Sequence, residues 1–408
     1  MRVNILLLQR EALSIFSSAI HQRLSVNSQP VSLPTQKNQS FGLFKITVQL
    51  VKSGQCSFRT EMPNYDSLTS NILQQAKFRE DTLPLLNEAC RSRFFFQPHP
   101  TPKVFLFFHG FTAAPYQFVP MGEAFYQAGY NVLIPLLPGH GQAGDWNGDH
   151  PPPLPETIQI YQDFARDWLQ KAQAFGEKVI VGGLSANANL AAWLALEYPE
   201  QIDRALLFAP YLSGTNSFVD LVVQFLPVYY EWLNKNSSGH FGYDGFRMPA
   251  LRIFLDMAQD MVQRIDQYPL VPPMFMIASE SDHATNQDDQ QSFFEALLKR
   301  QPKCWYHCFD KKLKVPHTMM TKIEGNEYQD LLIDISQAFV ESDRTWAELQ
   351  EQVTLMIQNQ TYDEVVAALN LTQPVSPIIV SMMATHLLKN SVAQRRVKVG
   401  SNSLTNEV

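Results

Sequence analysis

Apolar residues in this chain fall into two kinds of segment that alternate. The runs Val104-Phe105-Leu106-Phe107-Phe108, Val179-Ile180-Val181 and Met274-Phe275-Met276-Ile277-Ala278 have no polar face. Runs of that kind predict strands buried on both sides, as in a parallel sheet. Between them, apolar positions at helical spacing predict helices near 116–128 and about 157–174, with a further strand at 131–136 and another through Arg204–Phe208. Alternation of this kind predicts an α/β chain: a mostly parallel central sheet with helices on both faces, ligands gathering at its carboxyl edge. After Pro210 the alternation stops until the strand at 274, so the insert at about 211–270 is expected to form a helical cap after the sixth strand.

Candidate chemistry lies at the strand ends. Gly183-Leu184-Ser185-Ala186-Asn187 follows a buried strand and opens into Ala188-Asn189-Leu190-Ala191-Ala192-Trp193-Leu194. A serine on such a sharp strand-to-helix turn is lifted clear of the backbone, within reach of a base and a substrate carbonyl. The strand at 104–108 stops at His109-Gly110-Phe111-Thr112, where the loop can supply one of two oxyanion-binding amides, Phe111, the other being Ala186 after the serine. His109 reads more simply as a buried histidine ordering that loop. Asp282, in Ser279-Glu280-Ser281-Asp282-His283, and His317, in Val315-Pro316-His317, complete the chain order Ser, Asp, His. In that reading Ser185 attacks, His317 shuttles the proton and Asp282 orients the imidazole. Glu280, Asp288 and Asp289 are neighbouring carboxylates, and His283 could compete for Asp282.

These motifs, with Leu137-Pro138-Gly139-His140-Gly141, resemble the monoacylglycerol lipase and carboxylesterase branch of the α/β-hydrolase family over roughly residues 100 to 342. The resemblance implies hydrolysis of carboxylic esters without a cofactor or metal. Two positions depart from the family's pattern. Asn187 stands where a small residue is usual, and Ser279 begins the Gly-x-x-Asp stretch before the acid.

The insert is dense in apolar residues, Phe218, Leu221, Val222, Val223, Phe225, Leu226, Tyr229, Tyr230 and Trp232 among them. As a lid, Phe218, Val222, Phe225 and Tyr229 would wall an acyl pocket, burial contributing roughly 25 cal/mol per Å². The alternative is helices packed on the sheet, or a dimer contact.

Composition narrows the class further. A net charge of −7 without a Lys/Arg stripe argues against nucleic acid as a partner. Cys56, Cys90, Cys304 and Cys308 outline no disulfide framework, and Cys304 and Cys308 share one strand face that His307 does not, which argues against a metal site. The apolar run near the start is cut short by Arg10 and Glu11, shorter than a secretory signal, and no run reaches the roughly 18 apolar residues of a membrane span. A cytoplasmic protein is expected. Residues 1–99 are read as an N-terminal extension with a leading helix and strands, including Phe41–Val51. The catalytic domain is read over 100–343, and 344–408 as a helical extension and tail. The Ile/Met-rich stretch 376–388 suits packing on the parent domain, a partner helix or transient contact with a membrane surface. Two rivals to ester hydrolysis remain open: acyl transfer by the same triad, and a hydrolase fold kept as a binding protein. The sequence does not give the oligomeric state or the acyl and alcohol groups.

Overall fold

The computed structural model describes residues 64–214, 226–232 and 240–357. Its centre is a seven-stranded sheet in the order β1-β3-β2-β4-β5-β8-β9. The strands are β1 (Arg93–Phe95), β2 (Thr101–Phe108), β3 (Asn131–Ile134), β4 (Gly176–Leu184), β5 (Ile202–Phe208), β8 (Met274–Ser279) and β9 (Trp305–Phe309). All neighbours are parallel except β1, which runs antiparallel to β3 at the edge. The unbroken apolar runs have the predicted cause, since β8 and the last six residues of β4 are buried throughout. Each wholly buried Val, Ile or Phe there contributes about 1.5–3 kcal/mol.

Helix α1 (Tyr65–Asp81) precedes the sheet, α2 (Val119–Gln127) joins β2 to β3, α3 (Ile158–Ala172) leads to β4, and α4 (Ala186–Glu197) follows it. Later come α5 (Met248–Gln263), α6 (Gln287–Arg300), α7 (Gln329–Glu341) and α8 (Trp346–Ile357). Helices α3, α4 and α5 pack together, and α2 packs with α7. From β2 the chain moves to β3 on one side, then returns to β4 on the other. Connections diverging from adjacent strands open a crevice at their carboxyl ends, and the serine and the expected oxyanion loop lie there.

The insert is only partly as expected. It follows the fifth strand of the described residues, because the further leading strand read at Phe41–Val51 lies outside them, as do Phe218, Val222 and Phe225. Its described part contains a small antiparallel hairpin, β6 (Tyr229–Glu231) with β7 (Gly245–Arg247), rather than helix alone. Helix α5 belongs to the layer on the sheet. Its Phe254 packs against Tyr161 of α3 with ring centroids 4.8 Å apart, and its Phe254 carbonyl accepts from Asn189 Nδ2 of α4 at 3.4 Å. Among the described residues no helix is long and apolar enough to cross a membrane. Among the described residues Cys90 and Cys304 are free thiols.

Candidate active site

Ser185 caps the N-terminus of α4 at φ 61°, ψ −127°, a backbone region that non-glycine residues avoid. Two constraints impose the turn. Ser185 N–H donates to the Phe208 carbonyl at 2.9 Å, and a Cβ at Gly183 would lie 2.1 Å from the Asn187 carbonyl oxygen. Along 179–196 every residue is buried except Ser185. The turn thus presents one hydroxyl from an otherwise closed segment.

That hydroxyl donates to His317 Nε2 at 2.9 Å, and His317 Nδ1–H donates to Asp282 Oδ2 at 2.8 Å. The three side chains expected from chain order therefore meet at the carboxyl ends of β4, β8 and β9. Asp282 is 4% exposed and saturated with donors: Thr285 Oγ1 at 2.7 Å on Oδ2, and the Ala284 and Thr285 amides on Oδ1. Burial pushes its carboxyl up, but His317 and these donors outweigh burial and hold it below the usual carboxylate range. Burial lowers His317, whereas the charge and hydrogen bond of Asp282, together with the charge of Glu324, raise it above the ordinary histidine value. The neighbouring groups go elsewhere. His283 is exposed, Glu280 accepts from the Lys311 amide, and Asp288 and Asp289 lie in the first turn of α6.

The amides of Phe111 and Ala186 donate to no group among the described residues, as an oxyanion site requires. Phe111 itself is 7% exposed and wedged edge-on against Phe246 and Phe254. His109 orders this loop, as the simpler reading had it: Nδ1 faces the Gly110 carbonyl at 3.0 Å while Nε2 accepts the Leu137 amide at 3.2 Å. Burial, with His140 nearby, drives its pKa far down, so it stays neutral. Tyr229 lies half-buried on β6, opposite Arg247.

Several supporting residues escaped sequence reasoning. Asn187, read only as a departure, donates from Nδ2 to the His109 carbonyl at 2.7 Å and so ties the serine turn to the loop that carries Phe111. Ser279, the other departure, donates to the Val315 carbonyl at 2.7 Å and links the acid's loop to the histidine's. Thr112, at φ 66°, is gripped by the insert, its carbonyl accepting the Tyr243 amide at 2.8 Å and its hydroxyl the Trp232 indole at 3.1 Å. Gln117 accepts the Gly110 amide at 2.8 Å, and its one signal in the sequence is an amide side chain within the otherwise largely apolar Pro115-Tyr116-Gln117-Phe118-Val119. Among the described residues no group of three His, Cys, Asp or Glu could hold a metal ion.

A stretch of the chain is 30% identical over 106 residues to a thermostable monoacylglycerol lipase of Bacillus sp. (strain H-257), covering 23% of this chain and 36% of that enzyme, so only about a third of the relative's length is spanned. Similar solved structures include a Paleococcus ferrophilus monoacylglycerol lipase (14% identity, TM-score 0.46, 61% of this chain and 97% of that one). A soluble variant of Saccharomyces cerevisiae monoglyceride lipase, in complex with a substrate analogue, is also similar (12% identity, TM-score 0.46, 62% and 91%). The family model for the alpha/beta hydrolase fold matches residues 103–306, half of the chain, and the chain belongs to that family.

Proposed function

We propose that this chain is a serine hydrolase of carboxylic esters, acting on acyl esters through an acyl-enzyme. The observation that carries the reading is the relay of two hydrogen bonds from Ser185 Oγ through the His317 ring to Asp282, at 2.9 and 2.8 Å. Ser185 Oγ attacks the ester carbonyl carbon as His317 Nε2 takes its proton. The tetrahedral oxyanion is held by the Phe111 and Ala186 amides, and the C–O bond to the alcohol breaks as His317 returns the proton to it. A water, deprotonated by the same imidazole, then releases the acid and restores the serine. Asp282 keeps the Nδ1–H tautomer and stabilises the imidazolium. Three side chains and two amides suffice, so the reaction needs no cofactor. The similarity to a monoacylglycerol lipase favours lipid or other acyl esters as substrates. The insert is the proposed acyl wall through Phe218, Val222, Phe225 and Tyr229, of which Tyr229 lies among the described residues.

The test is labelling of the whole protein with a fluorophosphonate probe beside Ser185→Ala, the adduct located by mass spectrometry. Labelling at Ser185 is expected to vanish in the variant, and kcat on a p-nitrophenyl ester to fall by about six orders of magnitude. Folded protein that takes no label at Ser185 and cleaves no ester would overturn the reading.

A further inference from the structure

A buried carboxylate that the proposed reaction leaves unused stands behind the oxyanion loop. Glu324 lies in the loop after β9, seven residues beyond His317, with its side chain 2% exposed. Its Oε1 accepts from Tyr116 OH at 2.7 Å and from Gln117 Nε2 at 2.9 Å, and its Oε2 from Thr321 Oγ1 at 3.0 Å. From the insert, His240 Nδ1 approaches Oε1 at 3.4 Å. These contacts fix the Gln117 amide in one orientation. With Nε2 committed to the carboxylate, Oε1 must point the other way, and it accepts the Gly110 amide at 2.8 Å. Gly110 is closely confined there, since a Cβ at that position would lie 2.9 Å from Gln117 Oε1 and 3.0 Å from Leu184. The next amide in the chain is that of Phe111.

We propose that Glu324 is a positioning residue for ester cleavage: through Gln117 it sets the Gly110 peptide, and hence the aim of the Phe111 amide. The proposal rests on the reading of Ser185, His317 and Asp282 as the reacting set. Two negative groups act on the imidazole, Asp282 from the loop after β8 and Glu324 from its own loop. Tyr116 and His240 face Glu324 from the turn before α2 and from the insert. His317 must be neutral to accept the serine proton, so activity is lost below its pKa. Removing a negative charge lowers that pKa and moves the loss to lower pH.

Glu324→Gln keeps the shape but removes the charge and turns one of the two acceptor oxygens into a donor, so that either end can face Gln117 and its orientation is no longer fixed. Measured on a p-nitrophenyl ester with the full chain, kcat is expected to fall about tenfold with KM within about twofold, because the amide it aims acts on the transition state. The acid limb of kcat/KM is expected to shift to lower pH, and Glu324→Asp to bring that limb back. An unchanged kcat and profile would overturn the proposal. So would a loss of kcat that merely tracks a lower Tm while the acid limb stays in place. If Glu324→Gln fails to fold, Gln117→Leu removes the Gly110 acceptor and its link to Glu324 while leaving the Glu324 carboxylate in place, and there unchanged kcat is the overturning result. Wild-type protein that neither labels at Ser185 nor cleaves esters would sink the underlying reading instead, and the proposal with it; an active wild type with an indifferent Glu324 sinks only the proposal.

Discussion

Ser185 is held in its strained backbone by neighbouring groups, and buried Asn187 is the most direct of these to test. Most of its value is one hydrogen bond, Nδ2 to the His109 carbonyl, because its Oδ1 is buried with no partner among the described residues. A bond made at that expense is worth less than a fully satisfied amide. Asn187→Ala is therefore expected to lower stability by about 1 kcal/mol, read as a Tm about 2 °C lower by calorimetry, and to reduce kcat by loosening the loop that carries Phe111. An unchanged Tm would show the bond to be dispensable. The pH dependence belongs to His317. Its pKa is raised in the folded protein, and the neutral ring is the active form, so kcat/KM is expected to fall on the acid side with a midpoint above the ordinary value of 6.5. A profile of ester hydrolysis between pH 4 and 9, roughly, reads this directly; a midpoint at or below the ordinary value would mean that Asp282 and Glu324 do not govern the imidazole.

Elements differed in how legible they were, and the reason is where their partners lie. Strands β2, β4 and β8 are buried on both faces, so their identity is written locally as unbroken apolar runs, and α3 at 158–172 matched its predicted 157–174. Asp282 is read from the order Ser, Asp, His with Glu280 beside it in the same turn beyond β8, and what separates the two is tertiary: Asp282 meets His317 whereas Glu280 accepts from the Lys311 amide. Helix α1 left little trace, for only Ile72, Ala76 and Glu80 along it are buried. The hairpin β6–β7 was read as helix because three-residue strands are too short to show a period of two, and what holds them is remote. Trp232 and Tyr243 find Thr112 some 120 and 131 residues back along the chain. Gln117 and Glu324 were invisible for the same reason. Each is an ordinary polar residue in its own loop, and their meeting across 207 residues exists only once the sheet brings those loops to one edge.

At the scale of the whole molecule, the reacting groups hang from the ends of the most deeply buried strands, whereas the insert that grips Thr112 rests on a far weaker unit. Strands β2, β4 and β5 pair along most of their length, and Phe105 to Phe108 and Val179 to Val181 have no exposed surface. The hairpin β6–β7 has three residue pairs, its first strand half-buried or exposed, and no further strand beside it among the described residues. A two-stranded hairpin of that size has little stability of its own, while central strands open only with global unfolding. Hydrogen exchange of the whole protein should therefore separate them. Peptides over 104–108 and 179–184 are expected to exchange at least about a hundredfold more slowly than one spanning 229–232. That ordering would mean the insert can leave Thr112 while the serine turn and sheet stay intact, admitting a substrate without disturbing the groups that attack it. Equal protection across these segments would instead make the hairpin part of the rigid core, and entry to Ser185 would have to come by another route.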